Sequence, residues 1–507
     1  MTRDRMTRRR FLGKAAAVAA GLGVLGLGAQ CGATPTPEIV EVEKVVKETV
    51  EVVKEVEVEK EVTKVVEKVV EVAPKGPKVV NVMQASWVLQ EIPMDRMARL
   101  YNEAHRGEME IRLSATVSGW DTKVLKMQED NELIFNGSLI SGVPQWIARE
   151  VAIGMIAPWE DFIAASKEAG ADRIKKPDMI PIVYDDHWWL GHMWGIPYSF
   201  ENISYNWRTD YYRQVGWEKA PVTWAEKKEV AIALKEKLGG EGVVPFSWVG
   251  SWECDFGAEL YSSTKEPFTD IKSEKKGFVM HSRASFQSPE AIEAFNWMRS
   301  WVEEDLVPPH GSDDWWPLYQ KGKLACVQAQ SSRGVWGQKI HGQANVMTSP
   351  VPEKTVGAGC GTNYWDNSPT LFRLAPYPQE HVDFNIYAIG PANEDMQKAI
   401  IESGKTPVYE WCYSDLIEKD PNFATYLWMV AMRDQVQNSY PLWPDTYTES
   451  DFKFYSKWMV MFMEKGSKMT AEELGKTIEE EVTAELESMT FRVDRVDGII
   501  GGLKWTY

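Results

Sequence analysis

The sequence predicts an α/β protein organised as two lobes. The body, from about Lys78 to Tyr507, is too long for a single hydrophobic core. Within it, short apolar runs alternate with helical patterns at β-to-α spacing, which implies largely parallel sheets. The stretch from Trp194 to Glu226 condenses the pattern into strand, short helix, proline turn and capped long helix.

The chain opens on an export pattern. Thr7-Arg8-Arg9-Arg10-Phe11-Leu12-Gly13 is a twin-arginine sequence, and the Ala/Gly/Leu run behind it is too short and too small-residued for a stable spanning helix. Cys31 closes that run, where a cysteine suggests lipid attachment, and Cys-Gly-Ala-Thr-Pro-Thr-Pro stands there as the start of a tether. Residues 1–31 therefore read as a signal and 32–77 as a charged Val/Glu/Lys tether. EVEK recurs at 41 and 57, and no aromatic residue interrupts the tether, so it has nothing with which to build a core. As a helix it would reach roughly 50 to 60 Å at about 1.5 Å per residue, enough to hold a domain off a membrane.

In the body, Lys78 to Ala85 reads as the first strand, and the helix after Pro93 carries Met97, Leu100 and Tyr101 on one face. Met109 to Leu113 is a second strand, running to Ser118-Gly119-Trp120-Asp121 and a further helix. Ile196 to Trp207 has a buried-strand pattern, and Thr209 is placed to cap a short helix closed by Gly216. Thr223 and Glu226 have the spacing of a capping box for a helix carrying Val230, Leu234 and Leu238 and stopping at Gly239-Gly240. Val244 to Trp252 is a further strand, and Ser288-Pro289 opens the next long helix.

The body resembles the extracellular solute-binding proteins, family 1, that deliver sugars to ABC transporters. The resemblance rests on Gly195-Ile196-Pro197-Tyr198, Tyr205-Asn206, Gly216 and Pro221 to Glu226, which match that family's hinge-crossing strand, its short glycine-ended helix and the start of its next helix. It extends through Gly142-Val143-Pro144-Gln145-Trp146, where Gln145 replaces the family's Asp, and Gly154 to Trp159. Asp305 to Pro309, Tyr319 to Ala325, Gly334-Val335-Trp336, Val346 to Val351 and the helix at 470–488 come in the family's order. Phe384 to Pro391 resembles the second hinge strand. The resemblance implies a two-lobed periplasmic-binding-protein-like fold with hinge-crossing strands: residues 78–197 as lobe 1, 198–384 as lobe 2, 385–440 returning to lobe 1, and 441–507 as the lobe 2 return and C-terminal helix. It also implies a carbohydrate ligand, an oligosaccharide or related polyol, handed to an ABC permease by a membrane-anchored monomer that is not an enzyme.

Charge and motif content narrow the chemistry. A formal net charge of −18 argues against nucleic-acid binding, which needs a basic face. Gly475-Lys476-Thr477 lacks the first glycine of a phosphate loop, Thr470 standing there, and no cofactor fingerprint or complete catalytic motif occurs. Asp185, Asp186, His187 and His192 have metal-ligand chemistry, but their setting reads as an exposed loop, so no metal is expected. A surface polysaccharide-binding or glycan-hydrolysing lipoprotein is the alternative, since two carboxylates suffice for glycoside hydrolysis. Beyond the tether, Cys254, Cys326, Cys360 and Cys412 allow two bridges with three pairings, or free thiols.

The chain holds 23 Trp, whose flat apolar face and polar edge suit sugar rings. In open α/β sheets ligands sit outside the carboxyl ends of strands. That criterion selects Trp87, Trp120, Asp121, Trp146, Glu201, Trp252, Glu253, Trp336, Tyr364 and Trp365 as ligand-binding, and leaves Trp224, Trp297 and Trp301 as helix packing.

Overall fold

The computed structural model describes residues 76–85, 88, 91–116, 120–139, 150–151, 154–189, 191–248, 257–259, 269–271, 281–284, 286–308, 315–357, 363–437, 440–441 and 457–488. The signal, Cys31, the tether up to residue 75, Cys254 and Cys360 lie outside these residues.

The first lobe opens with β1 (Lys78–Gln84), α1 (Met94–Ala104), β2 (Met109–Ala115), α2 (Trp120–Glu129), β3 (Phe135–Leu139) and the two-residue β4 (Ile156–Ala157). α1 buries Met97 and Tyr101 as its pattern predicts, but Leu100 is left 39% exposed at the rim of that face. The chain then crosses into β5 (Ser199–Arg208), all ten residues of which are buried. The second lobe continues with α3 (Trp224–Leu238), β6 (Ser247–Trp248), α4 (Pro289–Glu303), α5 (Trp315–Gln320), β7 (Cys326–Gln330), α6 (Ser332–His341), β8 (Val346–Pro350) and β9 (Asn363–Asn367). β10 (Thr370–Phe372), α7 (Pro378–Ile389) and α8 (Glu394–Ser403) belong to the first lobe again. After them come β11 (Thr406–Pro407), α9 (Trp428–Val436), β12 (Tyr440–Pro441) and α10 (Ala471–Ser488).

Two main sheets result. The first has the order β2-β1-β3-β10-β4, with β1, β2 and β3 parallel and β10 antiparallel to β3. The second has the order β12-β9-β5-β7-β6, and β8 and β11 also pair with β5. β5 runs antiparallel to β7, β8, β9 and β11 alike, so the strand that leaves the first lobe becomes the axis of the second.

Helix starts obey local chemistry. Thr223 Oγ1 accepts from the Glu226 amide at 3.2 Å while the Glu226 carboxylate accepts from the Thr223 amide, a complete capping box. Ser288 caps α4 through the Ala291 amide, and Thr470 and Glu473 exchange the same reciprocal bonds before α10. Trp224 stacks on Trp297 at 5.0 Å and Trp301 is fully buried, so these tryptophans pack helices as expected. Thr209 differs from expectation. It is the first residue of its short helix, and its hydroxyl donates to the Ala344 carbonyl instead of capping.

The strand expected at Phe384–Pro391 is a helix, α7, and the return crossing lies earlier, between β9 and β10 at Ser368-Pro369. α7 is buried on several faces, from His381 and Val382 to Phe384, Asn385, Ile386, Ala388 and Ile389. A helix enclosed in this way shows the same unbroken apolar run as a buried strand, and Pro378 at its first turn was the distinguishing signal. A third crossing runs from the end of α8 through Gly404 and Lys405 to β11.

The crossings touch one another. The Tyr198 amide donates to the Asn367 carbonyl at 2.9 Å, and a Cβ on Gly195 would stand 2.7 Å from the Pro369 carbonyl oxygen. The glycine of Gly-Ile-Pro-Tyr is therefore set by a neighbouring strand. Gly137 of β3 is tighter still, since its Cβ would lie 2.0 Å from the Thr370 carbonyl oxygen. Gly137→Ala must push β10 away from β3, and calorimetry should show a destabilised protein, by about 1–3 kcal/mol or more. An unchanged melting temperature would show that this contact carries no strain.

Candidate functional site

The carboxyl ends of β1, β2 and β3 in one lobe, and of β7 in the other, lie on the side where the crossings leave the sheets. Two turns deliver side chains there: the helical turn after β1, carrying Glu91, and the start of α6, carrying Ser332, Arg333 and Trp336. α6 is seated closely because Gly334 has no side chain; a Cβ there would fall 1.8 Å from Thr348 Oγ1 and 2.8 Å from Asn206 Oδ1. The Ser331 amide donates to the Asn202 carbonyl at 3.1 Å, fixing the helix start against β5.

Between the lobes sits a buried ionic cluster. Lys405, on the third crossing, reaches Glu201 of β5 at 2.7 Å and Glu91 at 3.0 Å. The side chains are 3%, 5% and 13% exposed, so this is an ion triad out of water. Burial opposes charge on Lys405, but the two carboxylates outweigh it and raise its pKa. Burial opposes charge on Glu201 as well, yet Lys405, with help from Ser332 and Arg333, holds that carboxyl below its usual range. Glu91 is the weaker partner: burial raises its pKa more than Lys405 lowers it.

Arg333 completes the cluster electrostatically and stands over the Trp336 ring, its guanidinium carbon 4.0 Å from the centroid. Its Nε and Nη1 are buried without a hydrogen-bond partner among the described residues. Trp336 meets Trp316 edge-to-face at 5.6 Å, and Trp316 meets Trp315 in the same way at 5.5 Å. All three indoles are half-buried.

The structure thus brings Glu201 and Trp336 into one neighbourhood. The other expected site residues are placed as follows. Trp120 begins α2 and stacks on Phe372 at 6.1 Å within the packing of the first lobe, and Asp121 is half-buried in the same helical turn. Tyr364 is fully buried and its hydroxyl donates to Asp186, leaving no surface for a ligand in this conformation. Trp365 pairs in register with Glu201 on β9. Trp87, Trp146, Trp252 and Glu253 lie outside the described residues. Sequence reasoning missed Glu91, Lys405, Arg333, Trp315 and Trp316. The Trp-Trp pair before Pro317 was a visible signal, whereas nothing local marks Lys405.

The aspartate and histidine cluster is not an exposed loop. Asp185 is exposed and paired with Lys176, but His187 is fully buried, 3.4 Å from the buried Asp366, and His192 pairs with Glu160. The reason is packing: the short helix Pro181–Asp185 turns His187 inward, where Nδ1 lies 3.1 Å from the Val183 carbonyl. Burial pushes Asp186 and Asp366 well above the usual carboxylate range, each aided by a neighbouring aspartate. Among the described residues no group of three or more His, Cys, Asp or Glu is arranged to hold a metal ion, and Cys326 and Cys412 are free and buried.

No family model matches the sequence, and no curated protein matches it in sequence. Solved structures do match in three dimensions. The cyclic alpha-maltosyl-1,6-maltose binding protein from Arthrobacter globiformis superposes with a TM-score of 0.63 at 17% identity, over 82% of this chain and 100% of that one. The chain shares the two-lobed fold of that binding protein. The ABC substrate-binding protein Lmo0181 from Listeria monocytogenes, in complex with cycloalternan, gives 0.64 at 14% identity over 81% and 99%. The Thermus thermophilus maltotriose binding protein, bound with maltotriose, gives 0.60 at 14% over 80% and 100%. At these identities the likeness is one of fold, and function has to be argued from the site.

Removing Lys405 would leave two buried carboxylates uncompensated, which typically costs about 3–5 kcal/mol. Lys405→Met should show such a loss in urea denaturation at pH 7. The deficit should shrink as pH falls through the carboxylate range, because protonating Glu91 and Glu201 removes the unpaired charge. Glu91→Gln works in the opposite sense. A carboxyl with a raised folded pKa contributes stability at low pH that is lost as pH rises, so this variant should lose less stability than wild type between pH 4 and 7. A pH-independent deficit in Lys405→Met would remove the triad from the account.

Proposed function

We propose that this chain is an extracytoplasmic solute-binding protein that captures a carbohydrate between its two lobes and delivers it to an ABC permease. The observation that carries the reading is the junction itself. A half-buried tryptophan row, Trp336 with Trp316 and Trp315, stands beside a charged floor of Glu201, Lys405 and Arg333 where three crossings join the lobes. Apolar ring faces flanked by charged hydrogen-bonding groups are what a hydroxyl-rimmed sugar ring requires. The proteins sharing the fold support the same reading, since their ligands are malto-oligosaccharides and cyclic relatives.

In this reading Trp336 offers a ring seat, Arg333 donates, and Glu201, held by Lys405 and 5% exposed, fixes the charge of the floor beneath the ligand. Asp121, Trp365, Trp87, Trp146, Trp252 and Glu253 are proposed to line the same cleft from other strand ends. A ligand touching both lobes favours closure because it binds the closed form more tightly than the open one. The protein binds without catalysing, with no metal or cofactor. Residues 1–31 direct twin-arginine export, Cys31 carries the lipid, and 32–77 hold a monomeric body away from the membrane.

A thermal-shift screen of sugars tests the reading directly. A true ligand at 100 times its Kd adds about 2.7 kcal/mol of stability, and Trp336→Ala should weaken its binding at least tenfold. Chromatography of the same incubations should return the sugar unchanged. Release of shorter products would favour the glycan-hydrolysing alternative, and a screen in which no sugar stabilises the protein would reject carbohydrate capture.

A further inference from the structure

The charges at the junction are unevenly matched. Lys405 holds Glu201 at 2.7 Å and Glu91 at 3.0 Å, so these three satisfy one another. Arg333 acts on both carboxylates at longer range but is in no ion pair among the described residues, and its buried Nε and Nη1 have no acceptor there. A guanidinium cut off from water ordinarily has both a counter-charge and acceptors for its N–H groups. The Trp336 ring, 4.0 Å from the guanidinium carbon, attracts the charge through its face but accepts none of the in-plane N–H groups.

A long arginine without a partner normally extends its head into solvent. Arg333 is instead half-buried, because the turn that carries it is fixed. Gly334 seats α6 against Thr348 and Asn206, and the Ser331 amide donates to the Asn202 carbonyl. Arg333 and Trp336, three residues apart, share one face of that helix. The guanidinium is therefore held at the junction before any ligand arrives, and little side-chain entropy remains to be lost on binding. The local balance also suits an incoming anion. Glu201 is kept ionised by Lys405, whereas burial moves Glu91 toward its neutral form, so the two cations are not fully offset.

We infer that Arg333 is the seat of a ligand carboxylate, so that the carbohydrate captured at this junction is an acidic one, an oligosaccharide containing uronic acid. This rests on the proposed carbohydrate capture and narrows its substrate class. A hydroxyl would supply an acceptor but no counter-charge. A carboxylate supplies both, and its planar pair of oxygens matches the guanidinium edge, which an ammonium could not reproduce. Arg333 is then a specificity-determining residue that separates a uronate from the neutral sugar of the same shape.

Titration calorimetry of the full chain tests this with di- and trimers of galacturonate, glucuronate, mannuronate and guluronate, each beside its carboxyl-reduced neutral form. At least one uronate should bind tenfold or more tightly than its neutral counterpart. Arg333→Gln should lose at least tenfold for that uronate and bring the pair within about threefold of each other. Arg333→Lys, which keeps the charge without the planar edge, should fall between the two. A neutral sugar bound as tightly as its uronate, or a uronate preference that survives Arg333→Gln, would overturn the inference and leave carbohydrate capture standing. Succinate or citrate binding as tightly as any uronate would show a carboxylate seat with no sugar attached and reject both readings. Stabilisation by no sugar, acidic or neutral, would also reject both.

Discussion

The fold depends on one buried strand. Every residue of Ser199–Arg208 is out of water, so each of its backbone donors and acceptors needs a partner inside the protein. Four antiparallel neighbours from distant parts of the chain supply the pairing: Cys326–Gln330, Val346–Pro350, Asn363–Asn367 and Thr406–Pro407. Because this strand begins at a crossing from the first lobe, satisfying its backbone also gathers the other two crossings beside it. Gly195 against Pro369 and Tyr198 against Asn367 are the local record of that crowding.

Polar chemistry collects at the same place. Side chains that leave the crossings cannot all be apolar if the junction is to meet a hydroxylated ligand, yet charges there are cut off from water. The triad of Glu91, Lys405 and Glu201 resolves this by neutralising most of its own charge, with Arg333 adjacent. It also joins a turn of the first lobe, the first crossing and the third. A rearrangement of the lobes therefore acts on these ion pairs as well as on any bound molecule. On the far side of the strand pair, Tyr364, Asp186, Asp366 and His187 form a second buried polar group, used for packing.

The tryptophans divide between these roles according to what surrounds them. Trp224, Trp297 and Trp301 pack helices, and Trp301 also faces the buried Lys227, which pairs with Glu259 and lies 4.3 Å from the Phe246 ring centre. Trp315 and Trp316 open α5, Trp336 lies within α6, and all three keep part of their surface. Composition alone could not separate the two groups.

Where the governing physics is local, the sequence determined the outcome. The reciprocal caps at Thr223 with Glu226 and at Thr470 with Glu473 need only three residues of spacing, and they form as the spacing dictates. The strand from Ser199 was legible because its apolar and aromatic run lies in one short segment. Tertiary structure alone decided the rest. The partners of the ion triad stand at 91, 201 and 405, and no local pattern links charges so far apart in the chain. Phe384–Pro391 reads as a strand until most of it is known to belong to a helix buried on several faces, since an enclosed helix and a buried strand present the same apolar run. His187 reads as a loop residue until the chain folds it against Asp366. In each case the deciding quantity was burial among distant neighbours, which exists only once the chain has folded.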